Sequence, residues 1–157
     1  MIKFRIISVG KTRETWIQAG VAHYTKLASK FACVDESIIR AEKVIDESRR
    51  ELILEKEGER ILSKTGKDSP LIVLDHNGKI VYSEKFAREL NGYFKSGKSS
   101  IDFVIGSALG LSDNVKARAD LLLSFSKMTF PHELAKLMLA EQLYRALSIL
   151  HGSKYHK

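Results

Sequence analysis

The sequence predicts an α/β protein in which a mostly parallel β-sheet is flanked by helices. Short β-branched or aliphatic segments, typical of buried strands, alternate along the chain with longer segments whose apolar residues recur at helical spacing. This alternation favours parallel strands joined by crossover helices. No repeat, low-complexity segment or linker-like break interrupts it. We therefore expect one domain over residues 1–157.

In the first part of the chain, apolar pattern and charge define two strands and two helices. Ile2–Val9 is β-branched and apolar, and Gly10 ends the strand. A helical spacing follows over Thr12–Ala28, and Phe31–Ile39 is the second strand. The densely charged stretch Ala41–Lys64 places its apolar residues on one stripe, which indicates a solvated amphipathic helix.

The second part continues the alternation. Pro70 introduces a short apolar strand, and Asn77-Gly78 is the standard pair for a tight turn after it. A helix with Phe86 and Phe94 on its apolar stripe should end near Gly97. The predicted elements are the strand Leu71–Asp75, the turn His76–Lys79, the strand Ile101–Ile105, a short helix Leu111–Asp120, the strand Leu121–Leu123 and a final helix Pro131–Leu150.

Composition restricts the class of protein. A chain of 157 residues, 44% apolar and 29% charged, is ordinary for a soluble globular domain. No window is apolar enough for a membrane span, and Lys3 and Arg5 interrupt the apolar amino terminus, which predicts a strand and not a signal peptide. A single cysteine, Cys33, fits the cytoplasm. Lys and Arg exceed Asp and Glu by 26 − 19 = 7, which suits a polyanion such as RNA but does not require one.

Three loops are expected at one edge of the sheet. They follow Leu74, begin at Gly106, and run from Ser124 to Phe130. In open α/β sheets, ligands bind outside the carboxyl ends of the strands. The second and third loops are poor in charge, which suits a mostly neutral ligand held by backbone groups and apolar side chains. Their glycine spacing matches neither GxGxxG nor a P-loop, so standard dinucleotide or ATP binding has little support.

The final helix is apolar on two sides. A helix with two apolar faces must be covered on both. Either a partner subunit covers the second face, or the helix is central in a monomer. Glu141 and Arg145 stand at i, i+4 in the order that favours a local ion pair, so this spacing alone does not separate a structural from a functional role. One side carries Leu134, Leu137 and Met138, and the other carries Leu139, Leu143, Ala146, Leu147 and Leu150.

The sequence gives only weak signals for a histidine-based, metal or nucleophilic site. His23 and His151 lack a chemical context, His76 belongs to a turn, and His132 in the first turn of the last helix favours a structural role. No His, Cys, Asp or Glu spacing resembles a metal site, and no nucleophile elbow is present. We therefore expect no metal.

Four motifs are distinctive: FVIGSALGL at 103–111, SFSKMTFPHELA at 124–135, EQLYRA at 141–146 and the terminal YHK. Together they resemble the bacterial large-subunit rRNA pseudouridine N3-methyltransferase family, which belongs to the knotted SPOUT class. The likeness extends over the whole chain, through SVGK near the start, KEGERIL at residues 56–62 and LIVLDHNGK at residues 71–79.

The resemblance implies a SPOUT-type α/β fold with a deep trefoil knot within about residues 101–157. It also implies a homodimer that binds S-adenosylmethionine in the knot. Family members usually have two adjacent glycines where this chain has Gly106-Ser107. Ser107 should be tolerated if the second glycine only allows close packing. If that position requires positive φ, serine should cost about 1 kcal/mol and weaken cofactor binding. The family's cofactor positions fall on Leu74, Gly106, Phe125, Ser126, Lys127, Met128, Thr129 and Phe130.

The implied reaction is methyl transfer to N3 of a pseudouridine in 23S rRNA, within assembled ribosomes in the cytoplasm. We expect Arg145 to contact an RNA phosphate or the target carbonyl, and Tyr155 to stack on or hydrogen-bond the flipped base. His156 is the candidate acceptor of the N3 proton, because histidine titrates near neutral pH. Alternatively, the tail is disordered and the proton leaves to solvent.

Two other classes of function stay open. The chain could be a ribosome-binding factor that has lost catalysis, with Ser107 as the cause. It could also be an α/β nucleotide-binding regulator without an RNA partner, because α/β folds host many functions.

Overall fold

The computed structural model describes residues 1–156, and its strands and helices alternate as expected. Two short 3₁₀ helices, Glu47–Arg49 and Lys154–His156, accompany the main elements. The strands are β1 (Ile2–Val9), β2 (Ala32–Ile39), β3 (Leu71–Ile80), β4 (Ser100–Ile105) and β5 (Leu121–Ser124). The helices are α1 (Thr15–Ala28), α2 (Arg50–Lys64), α3 (Ser83–Lys95), α4 (Asp113–Arg118) and α5 (His132–Leu150).

The five strands form a single sheet in the order β2-β1-β4-β3-β5, and every pairing is parallel. Ile6 in the interior strand β1 lies beside Glu36 of β2 and Phe103 of β4. The predicted α/β class with a mostly parallel sheet is therefore confirmed. Parallel pairing places the carboxyl ends of β3, β4 and β5 at one edge, where the three predicted loops begin.

Helices cover both faces of the sheet. Alternate strand residues point to opposite faces, so Phe4 and Ile6 join one core while Ile7 and Val9 join the other. The first core is completed by α3 and α5, and its α5 residues include Leu139, Leu143 and Leu147. The second core is completed by Ile61 of α2 and Val115 of α4. Among residues 1–156, no helix is long and apolar enough to cross a membrane.

Several element boundaries differ from the sequence prediction, and two of the differences have a clear physical reason. The turn expected at His76–Lys79 is an irregular part of β3, whose pairing with β5 shifts register between Leu74 and Lys79. Gly78 is required there because a Cβ at this position would lie 2.7 Å from the carbonyl carbon of Leu122. The helix expected over Ala41–Lys64 begins only at Arg50, because Asp46 accepts a hydrogen bond from the Ser48 N–H (3.0 Å) and starts the preceding 3₁₀ helix.

Candidate active site

The carboxyl ends of β3, β4 and β5 surround a cleft of about 690 Å³. The structure brings the three predicted loops together around it. Lys127 is the exception among the predicted cofactor-binding residues, because it does not line the cleft. The predicted residues that line it are Leu74, Gly106, Phe125, Ser126, Met128, Thr129 and Phe130.

The loop Gly106–Gly110, called here the glycine loop, returns closely on itself. A Cβ on Gly106 would lie 2.6 Å from the carbonyl oxygen of Gly110 and 2.7 Å from Cγ of Leu111. Gly110 has φ +97°, a left-handed conformation that favours glycine. The Gly110 N–H donates to the carbonyl of Ser107 (2.9 Å) and closes the turn. Gly106 and Gly110 thus have separate steric reasons to be glycine.

Ser107 occupies the glycine loop without backbone strain. No residue other than glycine has a positive φ among residues 1–156, so Ser107 does not need the conformation that only glycine adopts easily. Its hydroxyl Oγ donates to Oε1 of Glu57 (3.0 Å), a carboxylate buried in α2. The serine is therefore compatible with the loop and adds a hydrogen bond to it.

The loop between β5 and α5 is held by its own hydrogen bonds. Ser124 Oγ donates to the carbonyl of Ser126 (2.8 Å), and Ser126 Oγ accepts from the Met128 N–H (3.0 Å). Phe125 packs against the core that contains α5, whereas Met128 is 75% exposed. The loop thus presents an apolar side chain and backbone groups to the cleft.

Polar and charged side chains also line the cleft, and two of them, Arg50 and Lys116, were not identified from the sequence. Arg50 Nη2 donates to the carbonyl of Leu109 (2.7 Å) in the glycine loop. Lys116 Nζ lies 3.4 Å from Oδ2 of Asp75, and His76 Nδ1 lies 3.6 Å from the other oxygen of that carboxylate. Arg50 and Lys116 come from α2 and α4, far from the loop motifs in sequence, and no spacing signal identifies them.

The predicted catalytic residues of the tail form a cluster on α5. Arg145 Nε donates to Oε1 of Glu141 (2.9 Å), and its guanidinium carbon lies 4.8 Å from the centre of the Tyr155 ring. The Tyr155 hydroxyl donates to the same Glu141 oxygen (3.0 Å). His156 Nδ1 lies 3.3 Å from Arg145 Nη1, and its Nε2 lies 2.8 Å from Oε1 of Glu84. Residues 154–156 are thus folded against the helix, while Lys157 lies outside the described residues.

These contacts define the protonation of the cluster. A guanidinium only donates, so His156 Nδ1 accepts from Arg145 and His156 Nε2–H donates to Glu84. Burial first, and then hydrogen bonding with Tyr24 and Glu141, raises the pKa of Tyr155 well above its ordinary value. Tyr155 is therefore a neutral hydrogen-bond donor and not a base. The hydrogen bond with His156 lowers the pKa of Glu84, which stays a carboxylate at neutral pH.

Within one chain, this cluster and the cleft are separate. In the described part of the chain, Arg145, Tyr155 and His156 do not line the cleft. Beside the cluster lies a second groove of about 440 Å³, lined by Glu141 and by Leu134, Leu137 and Met138 from the second apolar face of α5. The cleft and the groove share the segment 123–125 as a common wall.

Comparison with known proteins identifies the family. A family model described as "Predicted SPOUT methyltransferase" matches residues 2–156. The chain belongs to the SPOUT methyltransferase family. A relative from Exiguobacterium sp., named ribosomal RNA large subunit methyltransferase H, is 50% identical over 155 residues, which cover 97% of this chain and 98% of the relative. A protein of the same name from Streptococcus thermophilus is 45% identical over 159 residues, covering 99% and 100% of the two chains.

A solved structure supports the fold of this SPOUT chain. It is described as a probable methylase family protein from Haemophilus influenzae Rd KW20, and it matches with a TM-score of 0.59. The match covers 98% of this chain and 70% of that chain at 14% identity, so the likeness concerns the fold alone.

Proposed function

We propose that this SPOUT methyltransferase transfers a methyl group from S-adenosylmethionine to N3 of a pseudouridine in 23S rRNA, within assembled ribosomes. The observation that carries the proposal is the convergence of loops from β3, β4 and β5 on one cleft, in a chain of this family. The large-subunit rRNA methyltransferases that are 45–50% identical to it support the RNA substrate. The net charge of +7 is compatible with that substrate.

The residues of the cleft fit S-adenosylmethionine. Its volume of about 690 Å³ is in the range of small-molecule sites. Leu74 and Phe125 would hold the apolar face of the adenine, and backbone groups of the glycine loop would bond its polar edge. Asp75 and Lys116 at the rim suit the ammonium and carboxylate of the methionine end. When bound, the cofactor supplies an electrophilic methyl group on its sulfonium.

The tail cluster would position the base and remove its proton. Arg145 would turn from its intramolecular contacts to an RNA phosphate or the target carbonyl, as a guanidinium offers several donors in a fixed fork. That movement frees the Nδ1 lone pair of His156, which can then accept the N3 proton. The Glu84 carboxylate continues to accept the hydrogen bond from Nε2–H, and it stabilises the imidazolium that forms. Tyr155, neutral at physiological pH, would stack on or hydrogen-bond the flipped base.

We infer that the active form is a homodimer. The half-buried Leu134, Leu137 and Met138 line a groove along α5 that a second copy would cover. The separation of the tail cluster from the cleft within one chain also favours a site completed by the partner. A symmetric dimer would use the same α5 surface on both copies, so the interface would be isologous.

The remaining features follow from the family. We propose that residues 1–157 form a single SPOUT domain, with the trefoil knot within about residues 101–157. The single five-stranded sheet and the family match over residues 2–156 support this. Because its proposed substrate is the ribosome, the protein would act in the cytoplasm.

Calorimetry with purified components separates this proposal from the two alternatives. The enzyme should bind S-adenosylmethionine and, with it, methylate ribosomes that lack the modification. An inactive ribosome-binding factor would bind ribosomes without methylating them. A nucleotide-binding regulator would bind a nucleotide but neither the cofactor nor ribosomes. Absence of S-adenosylmethionine binding by the folded protein would reject the proposed function.

A further inference from the structure

Glu57 is a buried carboxylate to which the proposed chemistry gives no role. It lies in the middle of α2 and is 3% exposed. A carboxylate is buried at a cost unless its oxygens accept hydrogen bonds. Both oxygens of Glu57 do so, and their two donors come from different loops.

The first donor belongs to the glycine loop of the cleft. Ser107 Oγ donates to Oε1 of Glu57 (3.0 Å), and the Leu109 N–H lies 3.4 Å from the same hydroxyl. Two other residues of α2 also contact the glycine loop or the residues that follow it. Arg50 donates to the carbonyl of Leu109, and Gly58 lies so close to Ser112 that a Cβ would overlap its hydroxyl. Side chains of helix α2 thus contact the glycine loop and support its conformation.

The second donor belongs to an exposed segment. The Glu42 N–H donates to Oε2 of Glu57 (3.0 Å), and Arg60 on the same helix donates to the carbonyl of Arg40 (2.9 Å). This segment, residues 40–46, presents Val44 and Ile45, which are 53% and 89% exposed. One carboxylate therefore connects a loop of the cleft to a segment at the protein surface.

We propose that Glu57 is a positioning residue for the cofactor cleft. Its carboxylate fixes the glycine loop through Ser107 in the conformation that binds S-adenosylmethionine, and it links that loop to residues 40–46 through the Glu42 N–H. The proposal rests on the proposed function, because it takes S-adenosylmethionine as the ligand of the cleft. It deepens that function by assigning a residue outside the cleft to cofactor affinity.

The test is calorimetric titration of S-adenosylmethionine into four variants of the full chain. Glu57→Ala should weaken cofactor binding by about tenfold or more, and Ser107→Ala by about fivefold, as expected for loss of buried hydrogen bonds. Glu57→Gln should stay within about threefold of wild type, because its amide can accept from the Glu42 N–H and donate to Ser107 Oγ. Glu59→Ala, which removes an exposed carboxylate of the same helix, is the control and should bind like wild type.

Hydrogen exchange supplies a readout that a merely structural role would not change. In the wild type, the cofactor should slow amide exchange in residues 106–111 and also in residues 40–46. In Glu57→Ala, the second segment should no longer respond to the cofactor. If that variant does not fold, the same measurement on Ser107→Ala tests the proposal instead, because this substitution removes only a single oxygen atom.

Wild-type affinity in folded Glu57→Ala or in Ser107→Ala would overturn the positioning role. A Gln variant as weak as the Ala variant would assign the effect to charge and would overturn positioning by hydrogen bonds. A wild-type protein that fails to bind S-adenosylmethionine would instead reject the proposed function itself, so the two failures are distinguishable.

Discussion

His156 is the residue on which the proposed chemistry depends most. Its Nδ1 is the proton acceptor in this account, and Glu84 holds its other nitrogen. We expect His156→Ala to lower single-turnover methyl incorporation by about a hundredfold, because general-base assistance is lost. Cofactor affinity should be unchanged, because His156 does not line the cleft. The exposed His23, changed to Ala, is the matched control. Unchanged turnover in His156→Ala would show that the N3 proton leaves by another route.

A substitution at Gly106 tests whether the glycine loop contacts the cofactor. Gly106→Ala would push its Cβ against the Gly110 carbonyl and Leu111, which lie 2.6 and 2.7 Å from that position. The glycine loop must then open, and we expect calorimetry to show S-adenosylmethionine binding weakened by about tenfold or more. Ribosome binding, measured by co-sedimentation, should persist. Wild-type cofactor affinity would mean that the loop does not contact the cofactor.

Individual residues show where prediction from sequence ends. The motifs indicate Leu74, Gly106 and the segment 125–130, and the structure places all of these except Lys127 around one cleft. Arg50 and Lys116 were missed because tertiary packing brings them there from separate helices. The effect of a serine at position 107 on the glycine loop could not be predicted either. The sequence reveals neither the φ angle of Ser107 nor its hydrogen bond to Glu57.

At the scale of elements, apolar periodicity predicted the type of each helix and strand better than its ends. The charged pattern of residues 41–64 is uniform, yet α2 begins only at Arg50, after a 3₁₀ helix capped by Asp46. The Asn77-Gly78 pair indicates a turn from local propensity, but pairing with β5 incorporates it into β3. The first difference comes from a local cap, whereas in the second a contact between distant segments overrode local preference.

The contact between α2 and the start of α4 yields a prediction about stability. Gly58→Ala would overlap Ser112, whose side chain caps α4 by accepting from the Val115 N–H (3.4 Å). Loss of this cap and the overlap should lower the free energy of unfolding by about 1–2 kcal/mol. Gly92→Ala in α3, where no heavy atom lies within 4 Å, should raise it by about 0.5–1 kcal/mol. Urea denaturation measures both changes. Equal effects of the two substitutions would contradict the packing described for Gly58.

For the whole molecule, the sequence predicts a parallel α/β sheet but not its strand order. The order β2-β1-β4-β3-β5 results from long-range pairing, and it determines which loops meet at the cleft. The separation of the tail cluster from that cleft was likewise unpredictable, because it depends on where α5 lies across the sheet. The trefoil knot stays a prediction of the family resemblance.

Dimerisation is a prediction for the whole molecule. If the groove along α5 is covered by a second copy, sedimentation should show a dimer at assay concentration. Activity per chain should fall as dilution produces monomers. Glu substitution of Met138, which is half-buried on this face, should weaken the dimer, whereas Glu substitution of the exposed Met128 should not. A stable monomer with full activity would contradict the need for a second copy.

The central claim is that the cleft of this SPOUT chain serves methylation of a ribosomal pseudouridine. The most direct test incubates the purified protein and labelled S-adenosylmethionine with ribosomes that lack the modification. Ribosomes in which the target is uridine are the control. Mass spectrometry of the rRNA then locates the label. We predict one methyl group on N3 of one pseudouridine of 23S rRNA, and little transfer to the uridine control. No incorporation into intact ribosomes or free large subunits, or incorporation at another atom, would contradict the account.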